Sequence, residues 1–274
     1  MIPLTATLHK YGKILRISLS ERLVYRADFF VSTIFRFLPL VTSFLLWEAV
    51  FDSSPRQEIA GFTRDATLAY LLLVQISRMF SSMPGLAGGI TRDIRDGSLK
   101  KYLVQPLDMI GYLVSYRAAH KTAYIATSSL PYAGLFLACA GYFDGFPDPL
   151  TFAGYLVALL LGFVIGFFFE ACLGMVGFWL LEVTSLLWIV TTLNYFVSGQ
   201  MMPLDLLPGF WAGLLRALPF QYLAYFPAVV FLGKVQGAAL VRGLLAELAW
   251  AVALVLLTRW LYNRGLRRYS AFGG

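Results

Sequence analysis

Three stretches of this chain, residues 122–143, 149–169 and 183–204, contain no Asp, Glu, Lys, Arg or His. Each matches the roughly 20 residues that a helix needs to cross the hydrocarbon of a bilayer. Of the 274 residues, 59% are hydrophobic and only 14% charged, whereas soluble proteins carry about 25% charged residues. A soluble domain of this length would need more polar surface than the sequence supplies, so the chain reads as a polytopic membrane protein.

Residues 4–27 place Leu4, Leu8, Tyr11, Ile14, Leu15, Leu19, Leu23 and Val24 at helical spacing, with basic residues largely between them. That is the pattern of an amphipathic helix lying on a membrane surface. The first 28 residues lack a compact apolar core followed by a cleavage site, so no secretory signal is expected. Six spans are expected, at about 29–51, 66–90, 119–141, 151–177, 184–203 and 238–261. Before the last, Pro203, Pro208, Pro219 and Pro227 with Gly209, Gly213 and Gly233 interrupt an apolar stretch. Two short helices dipping into the outer leaflet are expected there rather than a seventh span.

An even number of spans puts both ends on one face. That face, residues 1–28, 91–121 and 259–274, collects fifteen Lys or Arg; the other has only Arg56, Arg64, Arg216 and Lys234. The positive-inside rule makes the basic face cytoplasmic. The net charge of +7 is therefore assigned to orientation and lipid headgroups rather than to nucleic acid.

Catalytic signatures are absent from the sequence. There is no Walker A loop or nucleophile elbow, and His9 and His120 have no ligating neighbours at metal spacing. Cys139 and Cys172 both lie in apolar runs and read as buried small side chains. No enzyme active site, bound cofactor or metal is expected in this chain. Gly85 with Gly89, and Gly162 with Gly166, form G-x-x-x-G pairs that permit close helix approach, within the subunit or to a second one.

Charges inside the expected spans are costly, about 2.5–3.5 kcal/mol each at a helix centre on insertion scales. Arg36 lies near enough to the first span's cytoplasmic end to snorkel. Arg78 and Glu170 lie deeper, and for Arg36, Arg78 and Glu170 two readings stand: lining of a polar pathway or subunit seam, or static pairing that fixes helix positions.

The segment TRDIRDGSLKKYLVQP, residues 91–106, carries six charges in sixteen residues. Gly97 is expected to end a helix continuing from the second span, in the left-handed conformation that favours glycine. Ser98 then suits the N-cap of a short helix, SLKKYLVQ, stopped by Pro106. Leu99, Tyr102 and Leu103 should share a face, making either a docking element or a solvated interfacial loop.

The run IRDGSLKKYLVQPL resembles the signature of ABC-2 type transporter permeases, an acidic residue, Gly, Ser or Thr, an apolar helix and then Pro. Further likeness to a branch of ABC-2 family transporter proteins close to this chain in length runs through ERLVYRADFF, SGQMMPLDLLPGFW at 198–211, LPFQYLAYFPAVVFLG at 218–233 and RGLRRYSAFGG at the end. The resemblance implies an all-α fold with six transmembrane helices, an N-terminal amphipathic connecting helix (1–28), a cytoplasmic coupling helix (91–110) and re-entrant helices (203–237) before the last span. It implies the permease subunit of an ATP-driven exporter in a bacterial-type plasma membrane. Its partners would be a second permease subunit, identical or paralogous, and separate ABC ATPase subunits that bind ATP and Mg. Carried onto this sequence, the ATPase-coupling positions are Arg95, Asp96, Gly97, Ser98, Leu99, Tyr102, Leu103 and Pro106. Related permeases often have Glu where Asp96 stands. The alternative class is a stand-alone secondary transporter or a membrane-embedded enzyme. The scarcity of pathway charges leans toward an amphipathic or lipid-like cargo.

Overall fold

The computed structural model describes residues 4–24, 26–105, 107–180 and 182–269; side chains at 4–10, 22–30, 33 and 36 lie outside the description. Pro106 and the Arg36 side chain are therefore outside the described residues. The chain runs as helices α1 (Leu4–Val24), α2 (Arg26–Ser53), α3 (Arg64–Ser81), α4 (Leu86–Arg95), α5 (Lys100–Leu103), α6 (Met109–Ala138), α7 (Pro149–Met175), α8 (Thr184–Val197), α9 (Gly209–Ala217), α10 (Tyr225–Phe231) and α11 (Gly237–Leu266). A minimal hairpin, Glu58–Ile59 paired with Phe62–Thr63, interrupts the loop before α3. Ala60 and Gly61 both have positive φ there, as a two-residue hairpin turn of this hand requires.

Helix α7 is the hub, packing against α3, α4, α10 and α11. Its start is set locally: the Asp148 carboxylate accepts from the backbone N–H groups of Leu150 and Thr151, both at 3.1 Å, and Pro149 occupies the first turn, where a missing N–H costs nothing. The main core joins Leu68, Leu72 and Leu73 of α3, Leu159 and Ile165 of α7, Val229 and Val230 of α10, and Leu240 and Leu254 of α11. Phe231 closes one end, with the rings of Tyr155, Phe146 and Phe143 at 5.1, 5.5 and 5.9 Å. Helix α1 lies along α6, and α2 rests on α3 and α6.

Among the described residues, three helical stretches are long and apolar enough to cross a membrane: Arg64–Arg95, Pro149–Phe178 and Gly237–Leu266. Several expected boundaries are corrected. The second span is not one helix, because α3 stops at Ser81 and α4 restarts at Leu86, on either side of Pro84 and Gly85. The third begins ten residues early, at Met109, where the Asp108 carboxylate accepts from the Gly111 N–H at 2.7 Å. The fifth ends at Val197 rather than 203 and has 14 residues, about 21 Å of helix, short of the bilayer core. The broken stretch before α11 does form two short α-helices, α9 and α10, linked by a 3-10 turn over Pro219–Leu223.

Candidate functional site

The break between α3 and α4 gathers the internal charges of the protein. A helix that stops inside a packed bundle exposes carbonyls at its end and N–H groups at its restart, and both need partners. Lys121, buried on α6, donates its ammonium to the Met79 carbonyl at 2.7 Å and approaches Ser82 Oγ at 3.5 Å. Arg117, one turn earlier, donates to the Pro84 carbonyl at 3.0 Å. On the other side, the Glu170 carboxylate of α7 lies within electrostatic reach of the Ala87 backbone N–H, in the first turn of α4. Cations thus meet the carbonyl end of α3 and an anion meets the amide end of α4, as helix dipoles favour. Ser81 adds a hydroxyl bond to the Leu223 carbonyl at 2.6 Å, tying the break to the turn before α10.

Arg78 and Glu170 face one cavity of about 500 Å³, bounded by Ser82, Pro84 and Gly85 at the break, Gly88 of α4, and Leu187, Trp188 and Thr191 of α8. They attract each other across it, yet no salt bridge within 4.0 Å joins them. Arg78 Nη1 instead donates to Ser81 Oγ at 3.3 Å. Their attraction is therefore not a direct salt bridge. The face of α8 beyond the cavity is bare, with Trp188 and Ile189 exposed.

Helix α4 leads from the break into the segment 96–105. Gly97 has φ +71°, and the Leu99 N–H bonds back to the Asp93 carbonyl at 2.8 Å. The short helix is smaller than expected: α5 covers Lys100–Leu103 alone, and Leu99 occupies its N-cap position without a side-chain bond. Ser98 is thus not the cap; the tight turn through Gly97 places Leu99, not the serine side chain, at the helix start. The expected shared face also divides. Leu99 and Tyr102 are buried beside Met83, Ile90, Ile94, Met109 and Tyr262, whereas Leu103 and Val104 are exposed, because four residues make barely one turn. Tyr102 stacks obliquely on Tyr112 at 5.5 Å, and Lys101 pairs with Asp93 at 2.9 Å. Asp96 is exposed at the end of α4. Arg95 reaches Glu182 at 3.7 Å, ahead of α8.

Glu182 also caps α8 by accepting from the Thr184 N–H at 2.7 Å. The Thr184 hydroxyl and N–H hold its carboxyl below the usual range. A depressed value means that this cap is intact above the ordinary carboxylate range and lost as pH falls through the folded-state value. Amide protection at the first turn of α8, taken relative to the intrinsic exchange rate at each pH, should therefore fall on acidification through the folded-state value, and Glu182→Gln should show the lower protection at neutral pH.

Reading by sequence missed Lys121, Arg117, Glu247 and the pairing of Asp108 with Arg259. Both Asp108 oxygens face the Arg259 guanidinium, with Nη2 to Oδ2 at 2.8 Å, pinning α6 to α11. Glu247 is the one acid inside the last apolar run, a visible signal; it is fully buried and neither carboxylate oxygen has a hydrogen-bond partner. The paired glycines divide as well. A Cβ at Gly162 or Gly166 would meet backbone atoms of the same chain, while Gly89 has open space around it.

No individual curated protein matches the chain. The sequence model of the ABC-2 family transporter proteins matches residues 37–273, which include the broken helix, the cavity and the segment after it; the chain belongs to that family.

Proposed function

We propose that this chain is the permease subunit of an ATP-driven exporter, working as a dimer on separate ATPase subunits that bind ATP and Mg. In this reading it crosses a bacterial-type plasma membrane six times with both termini cytoplasmic, the bilayer thinning locally around the short α8, α1 lies on the inner surface, and α9 and α10 are re-entrant. The exposed apolar faces of α2 and α8, including Phe35, Leu38, Trp188 and Ile189, meet lipid and the second permease.

The observation that carries the proposal is the construction of the segment 96–105. Its exposed side offers Leu103, Val104 and the Lys100 and Lys101 side to a partner. Its inner side, Leu99 and Tyr102, is packed into the same cluster as Met83 at the break and Tyr262 of α11. A push on the outer side is then delivered to α4 and to the floor of the Arg78 cavity, because packed cores shift as units rather than deform continuously. ATP can drive such a shift only if the ATPase holds one arrangement more tightly than the other.

The test is co-expression with an ATPase encoded beside this gene, followed by purification of the complex and assay of ATP turnover in vesicles. The exposed substitutions Leu103→Glu and Val104→Glu, with Gly97→Val, should lower coupled turnover by about tenfold, equivalent to roughly 1.4 kcal/mol, at unchanged membrane levels. Normal coupling in these variants refutes the contact. A secondary transporter would also use a broken helix, but its transport would not depend on a co-purifying ATPase.

A further inference from the structure

Arg78 is the feature that neither helix packing nor the segment after α4 accounts for. A guanidinium presents five N–H donors, and here one Nη reaches Ser81 Oγ at 3.3 Å; no carboxylate lies within salt-bridge distance among the described residues. Lys121 and Arg117 spend their charge on the carbonyls of the break, and Glu170 makes no salt bridge to Arg78. Arg78 is thus left facing a cavity with donors to spare. A cation in a water-poor apolar cavity is costly unless an anion with acceptor oxygens meets it.

The cavity indicates the rest of such a ligand. Its volume of about 500 Å³ falls in the range of small-molecule sites. Apart from Arg78 and Glu170, its walls are Met83, Pro84, Ala87, Leu187 and Trp188 with a few hydroxyls, so most of a bound molecule would touch hydrocarbon and indole. On the same face of α8 the cavity-lining Trp188 is itself exposed, and the exposed Tyr195 follows two turns further on, a surface along which an acyl chain can lie. We propose that this cavity binds an amphiphile with a phosphate or carboxylate head on Arg78 and an apolar tail along α8. That the molecule is exported cargo rests on the permease reading above; that it binds does not.

The full-length chain, purified in an uncharged maltoside detergent, is titrated with dodecyl phosphate and with dodecyltrimethylammonium while tryptophan fluorescence is followed. Wild type should bind the phosphate about tenfold more tightly, the scale of one charge-assisted contact. Arg78→Gln should abolish that preference and Arg78→Lys should retain part of it. Thr191→Trp, placed on the exposed side of α8, should block the cavity in a folded protein even where Arg78→Gln fails to accumulate. Equal affinity for the two probes in wild type, or an unchanged preference in Thr191→Trp and Arg78→Gln, overturns the proposal.

Two further arms separate the sources of the anion. Native mass spectrometry that finds an anionic phospholipid retained on wild type and lost from Arg78→Gln identifies a bilayer lipid. Stimulation of the ATPase complex by dodecyl phosphate, lost in Arg78→Gln, identifies cargo. Binding of the probe without any ATPase partner would leave the site standing and remove the exporter reading; ATPase coupling with no preference for the anion would do the reverse.

Discussion

Gly166→Ala should remove most of the folded protein from the membrane. A Cβ at this position of α7 would lie 1.9 Å from the Ser81 carbonyl oxygen and 2.9 Å from its carbon. These are backbone atoms at the end of α3, so no side chain can rotate aside. Relief needs a shift of more than an ångström at the break, where Ser81 and Lys121 hold the end of α3. Overpacking in a filled core costs about 1–3 kcal/mol and sometimes more, and backbone against backbone belongs at the upper end. Against a total stability of about 5–15 kcal/mol, that is enough to cut the yield of monodisperse protein severely. Gly134→Ala on α6 is the control, since nothing lies within 4 Å of its Cβ. If the two variants give the same chromatographic yield and thermal midpoint, α3 and α7 do not cross this closely.

Glu247→Leu should have the opposite effect and raise thermal stability. The carboxyl is wholly excluded from solvent and both oxygens lack partners. Gly162 of α7 is its near neighbour, and Tyr222 of the turn before α10 lies within its electrostatic reach. Leaving a buried polar group unsatisfied costs about 1–3 kcal/mol, and an apolar side chain of similar size recovers that cost. The midpoint should rise by several degrees, at about 2–4 °C per kcal/mol for a chain of this order of size. Glu247→Gln keeps a buried polar group and should show no such gain. A lower midpoint for the leucine variant would mean that the carboxyl has a partner essential to the packing of α11. A higher midpoint joined to loss of transport would assign the unsatisfied group a working role, a common reason for native proteins to retain one.

Local chemistry wrote several features directly into the chain. Asp148 and Pro149 mark the start of α7, Gly97 marks the end of α4, and the proline-rich stretch before α11 yields two short helices because proline removes donors that a continuous helix needs. Pro84 and Gly85 were an equally local signal for the break in the second span, masked by the apolar run on either side. The division of Leu99 and Tyr102 from Leu103 was not legible, since it turns on α5 being four residues long rather than eight. The short α8 was hidden for a related reason: residues 198–203 carry no charge to mark a boundary, but the Tyr225 N–H bonds to the Ser198 carbonyl at 3.1 Å, and Tyr70 donates its hydroxyl to the Gly199 carbonyl.

By itself the sequence determined the membrane class, the positions of the longest apolar helices and the family, because hydropathy and turn chemistry are properties of neighbouring residues. Only the tertiary structure decided what the internal charges do. Lys121 and Met79 are 42 positions apart, Arg117 and Pro84 are 33 apart, and Arg78 is left over only once those pairings are made. Which charge satisfies a broken helix and which one faces an empty cavity depends on distances across the bundle, and those are fixed by how closely glycines such as Gly166 let the helices approach.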